Sequence, residues 1–192
     1  MYTTLLADAT LFEALLAIDH DLASTAHAGG CLICGGRLDH ADYPRKPRGG
    51  PATLGPAYDR RLSFCCDACR KRLTPVSVRF LGRKVYLGVV VLLACVLREG
   101  PTRWRVARLR DQLGVGADTL ARWHRWWCKA FVRTPFWMAA RGRFADPVDE
   151  AALPGSLLAR FRGDGDTPIR MLLRFLGPLT TTSASTLAEA RG

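Results

Sequence analysis

Two short cysteine motifs, separated by 31 residues, constrain the fold of this chain more than any other feature of its sequence. Cys31 and Cys34 form C-L-I-C, and the second motif, C-C-D-A-C, holds Cys66 and Cys69 together with Cys65. Two intervening residues let both sulfur atoms of a pair reach one ion, and four thiolates from two such turns form the tetrahedral site of structural zinc. We therefore expect Zn²⁺ as a cofactor bound by the two C-x2-C pairs, with Cys65 as the alternative to Cys66.

The cellular compartment bears on whether these thiols bind a metal or form disulfides. The first 30 residues hold four acidic side chains and no Lys or Arg, unlike a signal peptide. The longest apolar run, residues 85–97, is shorter than the roughly 20 residues of a membrane span and predicts a buried helix. These features predict a cytoplasmic protein without membrane contact, where reduced thiols favour a metal site over a disulfide. A redox C-x-x-C pair is the other alternative, but no βαβ pattern surrounds it.

The formal net charge is +11, and its distribution along the chain indicates a polyanionic partner. Residues 37–84 hold twelve basic and four acidic side chains, and residues 85–143 hold eleven and three, whereas both ends of the chain are net acidic. Basic blocks of this kind are typical of proteins that bind nucleic acid. Arg outnumbers Lys by 24 to 4, so a GC-rich genome is an alternative source of part of the excess.

A segment rich in Pro and Gly, residues 42–51, lies between the two cysteine motifs and predicts an extended, exposed loop. It contains Arg45, Lys46 and Arg48. Short basic arms can lie along phosphates or enter a minor groove, so these three residues are candidate DNA contacts. A solvated linker is the equally weighted alternative.

Residues 102–131 predict two helices joined by a turn that contains glycine. Thr102 is a suitable N-cap for a helix that reaches residue 113, G-V-G at 114–116 interrupts the pattern, and a second helix spans residues 117–131. This is the layout of a helix-turn-helix, whose second helix enters the major groove of DNA. A helical hairpin with a solvated charged face is the alternative.

The second of these helices has two faces of different chemistry. Leu120, Trp123, Trp127 and Ala130 recur at spacings of three, four and three and are expected to face the core. The opposite face is polar and basic and continues to Arg133. The residues expected to reach base edges and phosphates are Asp118, Thr119, Arg122, Arg125 and Lys129.

The predicted fold is mainly α with a small four-cysteine zinc ribbon, an α+β protein that includes a helix-turn-helix domain. The expected divisions are an N-terminal helical segment at 1–30, the zinc ribbon at 31–77, the helix-turn-helix domain at 78–133 and a C-terminal helical extension with a frayed tail at 134–192. The first segment contains an amphipathic helix over residues 11–26, with Leu11, Leu15, Ile18 and Leu22 on one face. The C-terminal extension contains three short helices, expected at residues 136–144, 150–161 and 167–176.

Three stretches of this sequence carry a resemblance to known proteins. They are CLICGGRLDHADYPRKPRG, FCCDACRKRLTPVSVRFLGRKVY and LGVGADTLARWHRWW. The first two are similar to a group of small bacterial zinc-ribbon proteins associated with mobile elements, and the third resembles the helix-turn-helix of transposase-type DNA-binding proteins. The resemblance covers residues 31–131 and implies sequence-specific DNA binding or an accessory role in transposition, with a transposase or other recombination protein as a partner.

The sequence contains no recognisable catalytic constellation. The four histidines show no metal or triad spacing, and neither a nucleophile elbow nor a phosphate-binding loop is present. The acidic triad of a transposase nuclease is also not found. We therefore expect a non-enzymatic protein that binds double-stranded DNA, as a transposition accessory factor or a transcriptional regulator. The alternative is a zinc-dependent adaptor whose basic surface docks an acidic protein.

Overall fold

A computed structural model describes residues 5–51, 53–81, 86–98 and 114–181. The first helix of the expected helix-turn-helix, residues 102–113, lies outside the described residues. Among the residues described, no helix combines the length and the apolar character needed to cross a bilayer.

The chain divides into two compact units that differ in architecture. The first, called here the ribbon unit, comprises residues 8–87 and 174–192, and the second, the helical unit, comprises residues 1–7 and 88–173. The described part of the ribbon unit combines one long helix with two small sheets, and that of the helical unit consists of helices and turns. This mixture of helices and small sheets confirms the expected α+β class.

Helix α1 (Ala9–Ala28) opens the ribbon unit, and it extends the helix expected at residues 11–26. The Asp8 carboxylate caps its first turn by accepting a hydrogen bond from the Thr10 amide at 2.9 Å. Its buried residues are Leu11, Phe12, Leu15, Ile18, Asp19 and Ala23. Leu11, Leu15 and Ile18 of the expected apolar face are buried, and Leu22 at its end is half-buried.

Five short strands build the two sheets of the ribbon unit. They are β1 (Leu38–His40), β2 (Tyr43–Pro44), β3 (Arg60–Arg61), β4 (Phe64–Cys66) and β5 (Arg72–Leu73). One antiparallel sheet has the order β1-β4-β5, and β2 pairs with β3 in the other. In the first sheet Leu38 lies opposite Cys66. This register places the strand that follows the first cysteine motif beside the strand that enters the second.

The helical unit begins with a buried helix and continues through shorter ones. The helices are α2 (Gly88–Arg98), α3 (Ala117–Arg125), α4 (Pro135–Ala140), α5 (Gly155–Leu158) and α6 (Thr167–Phe175), the last of which begins in this unit. Residues 89–95 of α2 are at most 1% exposed, which confirms a buried helix within the run at residues 85–97. The three helices expected after residue 135 are present as α4 with a 3₁₀ turn at Arg141–Arg143, a 3₁₀ turn at Glu150–Ala152 with α5, and α6.

The second helix of the expected pair, residues 117–131, is interrupted by a π turn at Trp126–Ala130. The Phe131 amide donates to the Trp126 carbonyl, five residues earlier, so this turn holds one residue more than an α turn. Phe131 is consequently buried and Ala130 is exposed, so the expected spacing was wrong at its last position. The observed core face, called here the apolar stripe, consists of Leu120, Trp123, Trp127 and Phe131.

Candidate metal centre

Four sulfur atoms of the ribbon unit converge on one point. Those of Cys31, Cys34, Cys66 and Cys69, called here the cysteine cluster, all lie within 4.8 Å of one another. The Sγ atoms of Cys31 and Cys69 are 3.5 Å apart, as are those of Cys34 and Cys66. Zinc–sulfur bonds of about 2.3 Å in a tetrahedron place sulfur atoms roughly 3.8 Å apart. The cluster therefore has the dimensions to hold a metal ion, and no second group of this kind occurs within the described ranges.

The geometry selects Cys66 rather than Cys65 as the fourth member. Successive side chains of β4 point to opposite faces of the sheet, so the two thiols diverge. The Cys65 sulfur lies 3.7 Å from the Cys66 carbonyl oxygen and 3.6 Å from that of Arg70, outside the cluster. The remaining two cysteines lie in the helical unit, where Cys95 is buried and Cys128 is half-buried.

Both cysteine motifs form the same backbone turn. The Gly35 amide donates to the Cys31 carbonyl at 2.8 Å, and the Arg70 amide donates to the Cys66 carbonyl at 3.1 Å. Each turn ends in a residue with positive φ, +70° at Gly35 and +58° at Arg70. Glycine adopts this conformation without penalty, whereas for arginine it costs about 1–2 kcal/mol. Arg70 is the one non-glycine residue with positive φ in the described parts of the chain.

The second glycine of the first motif is required by close packing between the two turns. A Cβ atom on Gly36 would lie 3.0 Å from the Cys66 sulfur and 3.3 Å from the Ala68 Cβ. The Gly36 carbonyl also accepts a hydrogen bond from the Cys31 amide at 2.9 Å. A side chain at this position would push the two cysteine pairs apart.

The cluster lies at the edge of a small apolar core. Cys31 and Cys66 are buried with Ala23, Leu38 and Phe64, whereas Cys34 is exposed and Cys69 is half-buried. Four protein ligands complete a tetrahedral coordination shell and leave no position open for a substrate. The arrangement therefore suits a structural metal centre.

The thiols of the cluster differ in acidity. The backbone amides of Ile33 and Cys34 donate to the Cys31 sulfur and lower the pKa of this thiol to about 6. At Cys69, donation from the Lys71 amide lowers the pKa, but burial and the neighbouring thiols outweigh it and raise the pKa to about 12. Thiols must lose their protons to bind a metal, so metal affinity at this cluster falls as pH falls.

A buried ion pair in the same unit was not predicted from the sequence. Arg79 Nε donates to Asp19 Oδ2 at 2.7 Å, and both side chains are fully buried. The Ser77 hydroxyl and the Val78 amide also donate to this carboxylate, at 2.6 and 2.7 Å. The available signal was the position of Asp19 on the buried face of α1, four residues after Leu15. An acidic residue at such a position requires a buried partner.

The predicted basic arm is partly tied to the ribbon unit. The Arg45 guanidinium lies 4.9 Å from the centre of the Phe80 ring, and the Arg45 amide donates to the Asp59 carbonyl at 2.6 Å. Lys46 and Arg48 are exposed. Of the three candidate DNA contacts in this segment, Arg45 therefore has a structural role as well.

The candidate DNA contacts of α3 lie on its solvent side. Asp118, Arg122, Arg125 and Lys129 are exposed, and Thr119 is half-buried. The Arg122 guanidinium donates to the Thr119 hydroxyl at 3.4 Å. Ahead of the helix, Gly114 has a φ of +59° and Val115 is buried, as a tight turn that enters α3 requires.

Comparison of the chain with protein-family models, with curated proteins and with solved structures finds no match. The cysteine cluster and the exposed face of α3 are therefore the two groups of residues whose chemistry and geometry indicate a function.

Proposed function

We propose that this protein is a non-enzymatic, zinc-containing DNA-binding protein that contacts duplex DNA through α3 and the turns that follow it. The observation that carries the proposal is a row of exposed cations, called here the basic stripe. It consists of Arg122, Arg125, Lys129 and Arg133. A transposition accessory factor and a transcriptional regulator are the two roles that fit such a protein and the resemblance of its motifs.

The basic stripe is continuous because it follows the same period as the core. Its spacings of three, four and four residues match those of the apolar stripe. Each row therefore stays on its own side of the helix through the π turn. Among the described residues, no member of the basic stripe forms an ion pair with an acidic side chain. Four like charges on one face repel one another, and an anionic ligand relieves that repulsion. A phosphate backbone supplies such a ligand.

Within this surface, the residues are suited to different contacts. Arg122 and Arg125 lie on α3 itself, where an arginine can donate two hydrogen bonds to a guanine edge in the major groove. Lys129 lies in the π turn and Arg133 in the 3₁₀ turn at Phe131–Arg133 that follows it. Both are suited to phosphates, which position a protein on DNA without reading sequence. Asp118 is an acidic residue in the first turn of α3, where it also stabilises the helix dipole.

The cysteine cluster is suited to zinc. An all-sulfur donor set with tetrahedral dimensions favours Zn²⁺ over Mg²⁺ or Ca²⁺, which prefer oxygen ligands. Cys31, Cys34, Cys66 and Cys69 would hold the ion. When bound, it contributes folding free energy to the ribbon unit and no reaction chemistry.

A binding titration with a matched control tests the role of α3. Fluorescent duplex DNA is titrated with the zinc-loaded chain at two salt concentrations, because counterion release predicts a steep loss of affinity with salt. We expect the double variant Arg122→Ala with Arg125→Ala to lose about 1–3 kcal/mol per base contact, roughly 5- to 150-fold in affinity for each. Thermal unfolding of the double variant should match that of the parent chain, because both side chains are exposed.

The control removes the same charge from another part of the helical unit. Arg143 and Arg162 are exposed and form no ion pair within the described ranges. Their double substitution by Ala should lower the affinity by much less than the α3 variant does. Equal losses in the two double variants would show that the chain binds DNA through its overall charge and not through α3.

A further inference from the structure

The first cysteine turn presents two large apolar side chains to water. Leu32 and Ile33, which separate Cys31 from Cys34, are 77% and 71% exposed. They are the most exposed large apolar residues in the described parts of the chain. The C-x2-C turn requires two residues between its cysteines, but polar residues would serve equally well. Exposed apolar patches of this kind mark interaction surfaces.

Leu32 is also one wall of an open groove in the ribbon unit, with a volume of about 510 Å³. Other walls come from α1, from β5 and the residues after it, and from the 3₁₀ turn at Gly177–Thr180. Its apolar lining residues are Leu22, Ala26, Leu32, Leu73, Val76 and Pro178. The described residues that line it include no charged residue and no aromatic ring, so they offer neither phosphate contacts nor a stacking surface for nucleobases.

Two cations lie in the chain just before the strand that lines this groove. Arg70 and Lys71 are exposed and directly precede β5, whose Leu73 lines the groove. Neither forms an ion pair among the described residues, whereas Arg37 is paired with Asp39 and Asp67. On α1, the acidic Asp21 directly precedes Leu22, which also lines the groove. Like charges disfavour a second copy of this chain as the occupant, and an acidic occupant is favoured.

We propose that the groove, together with Leu32 and Ile33, binds an acidic segment of another protein that carries large aliphatic side chains on one face. Aliphatic side chains fill the groove, and acidic side chains face Arg70 and Lys71. Residues 182–192 of the chain itself follow Thr181 at the rim, but they contain one large apolar residue, Leu187, and one acidic residue, Glu189. These residues therefore supply too few aliphatic and acidic side chains to fill the groove and meet Arg70 and Lys71. This proposal is independent of DNA binding by α3.

Synthetic peptides of about 16 residues provide the probe, with Leu on one helical face and Glu at the other positions. Controls are a peptide with Lys in place of Glu and a scrambled acidic peptide. We expect the acidic amphipathic peptide to bind the zinc-loaded chain at least about tenfold more tightly than either control. Leu32→Ser with Ile33→Ser should weaken binding by at least about tenfold, and Lys71→Glu should weaken it as well.

The matched control is Met138→Ser with Met171→Ser, which removes two exposed apolar side chains from the helical unit. It should leave peptide affinity unchanged, and both double variants should keep their zinc and their DNA affinity. Four results would overturn the proposal. Two concern the ligand: equal binding of the Lys peptide, and tighter binding to anionic vesicles than to the acidic peptide. Two concern the chain itself: dimerisation that is lost in the Leu32 and Ile33 variant, and a large gain in peptide affinity when the chain ends at residue 181. The last two would identify a second copy or the chain's own C-terminus as the occupant.

Discussion

Residues 37–84 and residues 85–143 carry the same excess of eight basic over acidic side chains, but the two regions use their arginines differently. In the first region Arg61 and Arg79 are buried, at 1% and 0% exposure, and Arg45 stacks on Phe80. In the second, the described arginines of the basic stripe are exposed. A charge count along the sequence therefore overstates the anion-binding surface of the ribbon unit, because burial decides which cations can meet a ligand.

The two units also differ in what holds them together. Besides its apolar core, the ribbon unit contains two polar groupings, the cysteine cluster and the buried pair of Asp19 with Arg79. The helical unit depends on aromatic packing, in which the Phe131 ring centre lies 5.0 Å from those of Trp127 and Trp137. All five tryptophans of the chain lie between residues 104 and 137. Tryptophan fluorescence therefore reports on the helical unit alone and can separate the two contributions.

The largest expected effect comes from removing the metal. Structural zinc sites contribute about 10–16 kcal/mol of binding free energy in small peptides, so chelation should unfold the ribbon unit. Hydrogen exchange over residues 31–73 should become fast while tryptophan emission changes little. Purified protein should contain about one zinc per chain, and Cys34→Ser should lose it.

Substitution of the cysteines outside the cluster provides the control for this experiment. Cys65→Ser and Cys95→Ser should keep the full zinc content, because neither sulfur belongs to the cluster. Complete retention of zinc by Cys34→Ser would refute the ligand assignment. A parallel loss of tryptophan signal on chelation would refute the assignment of the metal's stabilising effect to the ribbon unit alone.

The buried ion pair should be the next most sensitive feature. Asp19→Asn leaves the Arg79 guanidinium buried without a carboxylate, which typically costs about 3–5 kcal/mol. Urea unfolding followed by hydrogen exchange of α1 measures this loss. Arg37→Met breaks an exposed pair, with the Arg37 side chain 74% exposed, and should cost less than about 1 kcal/mol. Equal losses in the free energy of unfolding for the two variants would mean that the buried ion pair does not join α1 to residues 77–79.

The π turn predicts a contrast between two neighbouring apolar residues. Phe131→Ala removes a buried ring and should destabilise the helical unit by about 3–5 kcal/mol. Ala130→Ser alters an exposed position and should change stability by less than about 0.5 kcal/mol. Thermal unfolding followed by tryptophan emission measures both. The reverse ranking would indicate a continuous α-helix with Ala130 in the core.

The smallest expected effect is a loss of stability at high pH that is confined to the ribbon unit. The Tyr58 hydroxyl donates to the Phe12 carbonyl, and burial raises the pKa of this phenol above its usual value, more than the nearby Arg79 lowers it. Its stabilising contribution is complete below about pH 10, the pKa of an unfolded tyrosine, and is lost as pH rises towards the folded value. Tyr58→Phe should abolish this alkaline loss, at a cost of about 1 kcal/mol near neutral pH. An unchanged alkaline profile in this variant would assign the loss to another group.

Local signals made some of these features predictable. The C-x2-C spacing alone identifies the cysteine cluster, because two residues between thiols define the turn. The choice between Cys65 and Cys66 required the register of β4 against β1, which depends on chain segments far apart in sequence. The pair of Asp19 with Arg79 spans 60 residues and leaves no period in the sequence. The π turn could not be predicted either, because Ala130 and Phe131 are both apolar. Only packing in the folded unit favours the larger Phe131 side chain at the core position.

The π turn also determines where this chain can change length. Loss of one exposed residue of the π turn, Lys129 or Ala130, would convert the turn to a regular α turn and move Phe131 one position closer to Trp127, still on the core side of the helix. Loss of one residue within α3 would instead rotate everything that follows by about 100°, turning aromatic rings towards water and arginines towards the core. We therefore expect deletion of Lys129 or Ala130 to be tolerated and a deletion one turn earlier to be disruptive, although both segments present charged side chains to solvent.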